Sequence, residues 1–208
     1  MTARPLRLGI ILCVPIGVAL LGLFAGAGRA AVDPAVAQVQ GLDEALLASM
    51  KAGAGASQMA RYGKLAPVVE QVFDLRAMTG FAVGAAWPTF SAQQQEAAIA
   101  AFARLTIASY ANNFKSFDGE HFEINPEVVT RGADKVVQTQ LLSAHAAPVT
   151  LNYRMRESAG SWKIIDVYFG AVSQLTIRRS DFAAPVATGG AQGLIDHVNA
   201  LSDALIKP

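Results

Sequence analysis

Few side chains in this sequence are placed for chemistry. Asp166 comes first, a carboxylate flanked by Ile165 and Val167 inside the apolar run Trp162 to Phe169. A carboxyl among apolar neighbours rises in pKa and can act as a general base, provided that Tyr168 or Tyr153 supplies a second polar group on its face. The same residue serves equally well as a structural carboxylate, held by Arg154, Arg156 or Arg178 from neighbouring strands. His121, His145 and His197 lie far apart and show no metal-ligand spacing such as HxxxH, so no metal site is expected. Ser173 and Ser109 lack a histidine at a recognisable interval, and the scattered glycines form no phosphate loop. No catalytic constellation stands out, and the expectation is a protein that is not an enzyme. A small pocket enzyme using Asp166 as general base stays open as the alternative.

The elements that must position these residues fall into two halves. In the first, the apolar spacing predicts helices. Asp33 caps and Pro34 opens a helix from Asp33 to Ala52, with Val36, Val39, Leu42, Leu46 and Leu47 at helical intervals. Gly53-Ala54-Gly55 ends it. A second helix is expected from about Lys64 to Phe73. Asp74 then caps a short third, Leu75 to Ala85, which Trp87-Pro88 breaks. Ser91, with Gln94 three residues on, opens a long helix that ends near Lys115.

From Phe117 the period shortens toward two. His121–Ile124, Glu127–Arg131, Lys135–Ser143 and Val149–Arg156 read as strands. Val149, Leu151, Tyr153 and Met155 share one face of the last of these. Ser158-Ala159-Gly160 turns into the Trp162–Phe169 strand, which is apolar on both parities and therefore expected to be covered on both sides. Gly170 signals a bulge or bend, Val172–Ile177 a further extended run, and Ser180 the cap of a closing helix. Asp181–Thr188 and Ala191–Ile206 read as two terminal helices parted by Gly189-Gly190. The fold class expected is α+β: an antiparallel meander of about four strands, covered on one face by N-terminal and C-terminal helices.

Residues 1–30 read as an export signal. Arg4 and Arg7 precede an apolar core, Leu8 to Phe24, and small residues end it, with cleavage expected near Ala30. An uncleaved membrane anchor is the alternative. Cys13 is too early, and follows the wrong residue, for a lipoprotein site. Its removal would leave residues 31–208 as a single cysteine-free domain with neither disulfides nor thiol chemistry. The segment carries Arg4, Arg7 and Arg29 and no acids, so its loss takes the formal charge from +1 to −2. A near-neutral chain has no electrostatic footprint for nucleic acid. Only 16% of residues are charged, which leaves an apolar surplus.

The order of Gly160, Trp162 and Lys163, then Asp166-Val167, Gly170, Ser173, Arg178 and Phe182 resembles the signature of the periplasmic MlaC family, also called toluene-tolerance proteins. Upstream, Met78 to Trp87, then Ser91, Gln93, Gln95, Phe102 and Tyr110 follow the same pattern, as does Pro148 to Tyr153. The resemblance spans roughly Leu42 to Leu201. Ile177 stands where the family often has an aromatic, and Ala171 where it often has an acidic or small residue; these departures leave the hopanoid-associated HpnM branch open beside the main one.

The resemblance implies a lipid carrier with an apolar cavity between helices and sheet. Its cargo would be phospholipid or a hopanoid-type lipid, with no cofactor. The implied partners are an inner-membrane ABC transporter complex and an outer-membrane lipoprotein complex. The implied lining is Met78, Phe81, Phe102, Ile107 and Tyr110 from the helices, and Leu151, Tyr153, Ile165, Val167 and Phe169 from the strands. If Trp162, Ile164 and Tyr168 face inward instead, Asp166 joins them. Arg178 and Arg179 would stand at the mouth, near a phosphate or a partner protein, or simply at a solvated strand end. A scaffold of an envelope complex that binds no lipid is the remaining alternative.

Overall fold

In a computed structural model, which describes residues 32–206, the helical half precedes the sheet and a long helical run, broken at Gly190, follows it. The expected export segment lies outside the described residues. Helix α1 (Pro34–Ala52) starts where Asp33 accepts from the Ala35 N–H at 2.8 Å. Helix α2 (Gln58–Val72) begins six residues before the expected Lys64, because Ser57 accepts from the Ala60 N–H and caps it there. Its first turn holds Arg61, which is buried and donates to the carbonyls of Gly53, Ala56 and Ala111. One guanidinium thereby ties the α1–α2 turn to the backbone at Ala111, fifty residues on.

Helix α3 (Leu75–Val83) is capped by Asp74, and a 3-10 turn follows over Gly84–Thr89. Helix α4 (Ala92–Asn113) opens on the capping box of Ser91 and Gln94, with both reciprocal bonds present.

The sheet is antiparallel and has six strands, three long ones in a meander joined by short ones. They are β1 (His121–Ile124), β2 (Val129–Arg131), β3 (Asp134–Leu142), β4 (Val149–Ser158), β5 (Ser161–Phe169) and β6 (Val172–Ser173). The order is β1-β3-β4-β5-β6, with β2 beside β3. Helix α1 packs across β1, β3 and β5, and α4 lies against α2 and the helical run that follows the sheet. The Asp74 N–H donates to the Ile164 carbonyl at 2.9 Å, so the α2–α3 junction occupies the β5 edge that the short β6 leaves unpaired.

Strand β5 corrects the expectation of two-sided burial. Asp166 pairs with Arg154, but Ile164 pairs with Met155, so β5 carries one extra residue, Ile165, at a bulge. Alternation changes phase there. Ile164 faces the helices before the bulge, and Val167 and Phe169 face them after it. The run reads as apolar on both parities because its two halves use opposite ones.

The expected extended run Val172–Ile177 is the second correction. Only Val172 and Ser173 pair, and helix α5 (Gln174–Leu205) begins at once. Asp166 Oδ1 accepts from the Leu175 N–H at 3.1 Å, and Ser173 Oγ accepts from the Thr176 N–H at 3.0 Å. Two orphan donors of the first turn are thus satisfied, which outweighs the β preference of Thr176 and Ile177. Ser180 is consequently inside the helix, donating to the Thr176 carbonyl, and caps nothing. The expected break between two terminal helical segments is present: Gly190 takes φ +57° and ψ −141°, outside the helical range, and divides α5 there. A Cβ at Gly193 would meet the Pro185 carbonyl at 2.8 Å, so the two segments close tightly across the bend.

On the opposite side of the sheet Asp134, 3% exposed, accepts from Arg154 Nε at 2.7 Å and Arg156 Nε at 2.6 Å. The Arg156 bond, with Arg154 adding to it against the cost of burial, holds the Asp134 carboxyl below its ordinary value. This contribution is present above the unfolded carboxyl pKa and vanishes as pH falls below about 4. Asp134→Ala is expected to cost about 2 kcal/mol at pH 7, because both arginine heads remain partly hydrated. Urea unfolding at pH 7 and pH 3 checks this: the difference from the parent chain should shrink at the lower pH.

Candidate functional site: an apolar cavity between helices and sheet

Helix α4 turns a stripe of side chains toward the sheet at the intervals of a single helical face: Phe102, Leu105, Thr106, Ser109, Tyr110 and Asn113. Across from it stand Leu141 of β3, Val149 and Leu151 of β4, and Val167 and Phe169 of β5. The pairings Leu141–Val149 and Leu151–Phe169 bring these strand residues to one end of the sheet. Between stripe and sheet lies a cavity of about 560 Å³.

The inner wall is formed by buried apolar groups, including Met50, Phe73, Met78 and Phe102. Two of the hydroxyls on the α4 stripe are occupied. Thr106 donates to the Phe102 carbonyl and Ser109 to the Leu105 carbonyl, each at 2.8 Å, leaving mainly carbon facing inward. Rings brace the helix side: Tyr110 stacks on Phe114 with centroids 5.7 Å apart and tilts against Phe73 at 5.7 Å. Polar groups gather toward solvent, where Asn113, Ser116 and Gln174 are exposed and Glu120 and Arg178 half-buried. The arrangement can shelter hydrocarbon and leave a polar end in water.

Six of the expected lining residues meet here: Met78, Phe102, Tyr110, Leu151, Val167 and Phe169. The other four lie elsewhere. Ile107 is 1% exposed and packs within the helical layer, about 140° around α4 from Phe102 at roughly 100° per residue. Tyr153 sits one inward position farther along β4 than Leu151, in the solid core. Ile165 is the bulged residue. Phe81 is 47% exposed at the end of α3, with the Arg179 guanidinium 5.2 Å from its ring centroid. The stripe members Leu105, Thr106, Ser109 and Asn113 were not anticipated, although their spacing from Phe102 would have found them.

Asp166 stands outside the cavity wall. Its carboxylate accepts from the Ser173 hydroxyl at 2.7 Å and from the Val167 and Leu175 N–H groups. None of the three expected arginines holds it, because Arg154 and Arg156 turn to Asp134 and Arg178 to Asp181. Each oxygen accepts at least one hydrogen bond from the hairpin or the start of α5, an arrangement that suits a cap. His121 and His145 are exposed beside Glu123 and Asp118 respectively.

A second polar cluster lies behind the cavity. Asp43 of α1, 3% exposed, and the Tyr153 hydroxyl face one another, and neither has a hydrogen-bond partner within bonding distance among the described residues. Burial pushes the Asp43 carboxyl up to about 8, and the neighbouring Tyr153 opposes the shift. Burial also raises Tyr110 and Tyr153, and the nearby carboxyl adds to both.

Residues 40–200 match the family described as MlaC protein. No curated protein matches the chain. Among solved structures, a phospholipid-binding protein from Ralstonia solanacearum, in complex with a phospholipid, superposes with a TM-score of 0.73 at 22% identity. The match covers 84% of this chain and 100% of that one. At that identity the likeness speaks for the fold.

Proposed function

We propose, on the premise that the chain belongs to the MlaC family, that the cavity takes the acyl chains of a phospholipid and that the protein is a lipid carrier and not an enzyme. The observation that carries this reading is the cavity itself, about 560 Å³ between an apolar helix stripe and an apolar sheet face. That volume lies within the roughly 300–1,000 Å³ usual for ligand clefts. A folded chain leaves so large an apolar volume unfilled only at a cost in packing, which bound hydrocarbon offsets. The family supports the same cargo, as does the phospholipid held by the Ralstonia protein.

The energetics require such a site. Each methylene sheltered from water is worth about 0.8 kcal/mol, so two chains of about fourteen methylenes need on the order of 20 kcal/mol of shelter to cross water. Affinity then comes from area, with the headgroup at the polar end beside Arg178, Gln174 and Asn113. In this reading residues 31–208 form one lipid-binding domain, exported to the periplasm after cleavage near Ala30. It exchanges cargo with an inner-membrane ABC transporter complex and an outer-membrane lipoprotein complex. Phospholipid is the cargo we favour over a hopanoid-type lipid, because the Ralstonia protein of the same fold is in complex with a phospholipid.

Native mass spectrometry of protein purified gently from cells is the test. One phospholipid per chain is expected. Protein that emerges empty under gentle conditions would reject carriage in favour of a scaffold, and a polycyclic lipid in the cavity would correct the cargo.

A further inference from the structure

The outer rim of the cavity carries large apolar groups that the fold does not use. Phe169 and Val172 are partners across the Gly170 hairpin and are 55% and 52% exposed. Ile177, in the first turns of α5, is 41% exposed. Two cations follow immediately. Arg178 lines the cavity and lies 3.4 Å from Asp181; Arg179 covers the ring of Phe81, itself 47% exposed. On the facing rim Phe117 carries the Lys51 ammonium 5.4 Å from its ring centroid, with Asp118 and Glu120 nearby in sequence.

Exposed aliphatic and aromatic tips beside guanidinium groups match the boundary layer of a bilayer. The apolar tips enter between headgroups, and the arginines meet phosphates. On the hairpin side Arg178 and Arg179 stand near the solvent-facing carboxylate of Asp181, while the Asp166 carboxylate is buried and engaged by Ser173 and two backbone N–H groups, so the guanidinium heads are the charges that rim offers to an anionic surface. The patch is also continuous with the cavity, since Phe169 and Arg178 belong to both. A lipid leaving a membrane held against this rim would pass into the cavity without crossing open water.

We propose that the Gly170 hairpin and the first turns of α5 form a membrane-docking face that seats the cavity mouth on anionic bilayers. The inference rests on the carrier reading for its purpose but not for its test. Val172, Ile177 and Arg179 stand outside the cavity wall, so V172D/I177D and R179E leave the cavity intact. The parent and variant chains are floated with vesicles of phosphatidylglycerol and phosphatidylethanolamine, and separately with phosphatidylcholine alone, while bound lipid is read by native mass spectrometry.

The parent is expected to float with the anionic vesicles and, as salt rises, to be released from them. V172D/I177D should reduce flotation by about tenfold or more, and R179E should reduce it on anionic vesicles only, both with unchanged lipid content. A parent chain that floats with neither vesicle overturns the proposal and gives the rim to a protein partner, as do variants that float like the parent. Flotation of a chain that carries no lipid upholds docking and overturns carriage, which keeps the two failures apart.

Discussion

Replacing Asp43 with leucine is expected to stabilise the protein at pH 9 by on the order of 5 kcal/mol, a gain that fades on acidification. In the unfolded chain this carboxyl releases its proton near 3.8, whereas the folded chain keeps it until about pH 8. Between those limits the folded state binds the extra proton, so stability falls with rising pH by about 1.4 kcal/mol per unit. Above pH 8 the full penalty is present; below pH 4 it is absent. Leucine has no proton to lose but is the larger side chain and gives back part of the gain in overpacking, whereas Asp43→Asn keeps the volume and should show most of it. Urea unfolding of parent and variants at pH 5, 7 and 9 reads it directly. Curves that keep the same separation at all three values would show that Asp43 ionises in the folded chain as an ordinary carboxyl. Against a typical total stability of about 5–15 kcal/mol, the effect is large.

The second large effect is on cargo. Ser109→Trp is expected to weaken lipid loading strongly while the fold survives. The serine sits on the α4 stripe with its hydroxyl bonded back to Leu105, so nothing in the core depends on it. An indole there projects into the hollow. Displacing even three methylenes, at about 0.8 kcal/mol each, weakens lipid retention roughly fiftyfold. Native mass spectrometry reads the loading and circular dichroism the helicity. Ser109→Ala, which adds no bulk, should load normally. Undiminished loading of the tryptophan variant would mean that hydrocarbon lies elsewhere.

Much of the fold was legible wherever its causes are local. The caps at Asp33, Asp74 and Ser91 depend on bonds two or three residues long, and the alternation in β4 depends on nearest neighbours alone. What escaped has distant causes. The start of α5 at Gln174 is set by a carboxylate nine positions earlier, Asp166, and so could not be heard in the β-branched Thr176 and Ile177. The same bond explains why Asp166 resembled a catalytic acid: burial and apolar neighbours suit a helix cap as well as they suit a base. In the cavity, Phe102 and Tyr110 were found from α4, but the polar stripe members Thr106 and Ser109 were passed over. Their hydroxyls look hydrophilic until the helix carbonyls claim them. Ile107 and Tyr153 were chosen for their chemistry, whereas their positions along the elements put them in the packed core.

The extra residue in β5 has a bearing on cargo that its size conceals. Strict alternation onward from Ile164 would present Asp166 and Tyr168 to the fatty interior, and send Val167 and Phe169 outward. A single inserted isoleucine therefore acts as a change of polarity. It keeps an acid away from greasy contents and frees that acid to anchor the chain's last helix.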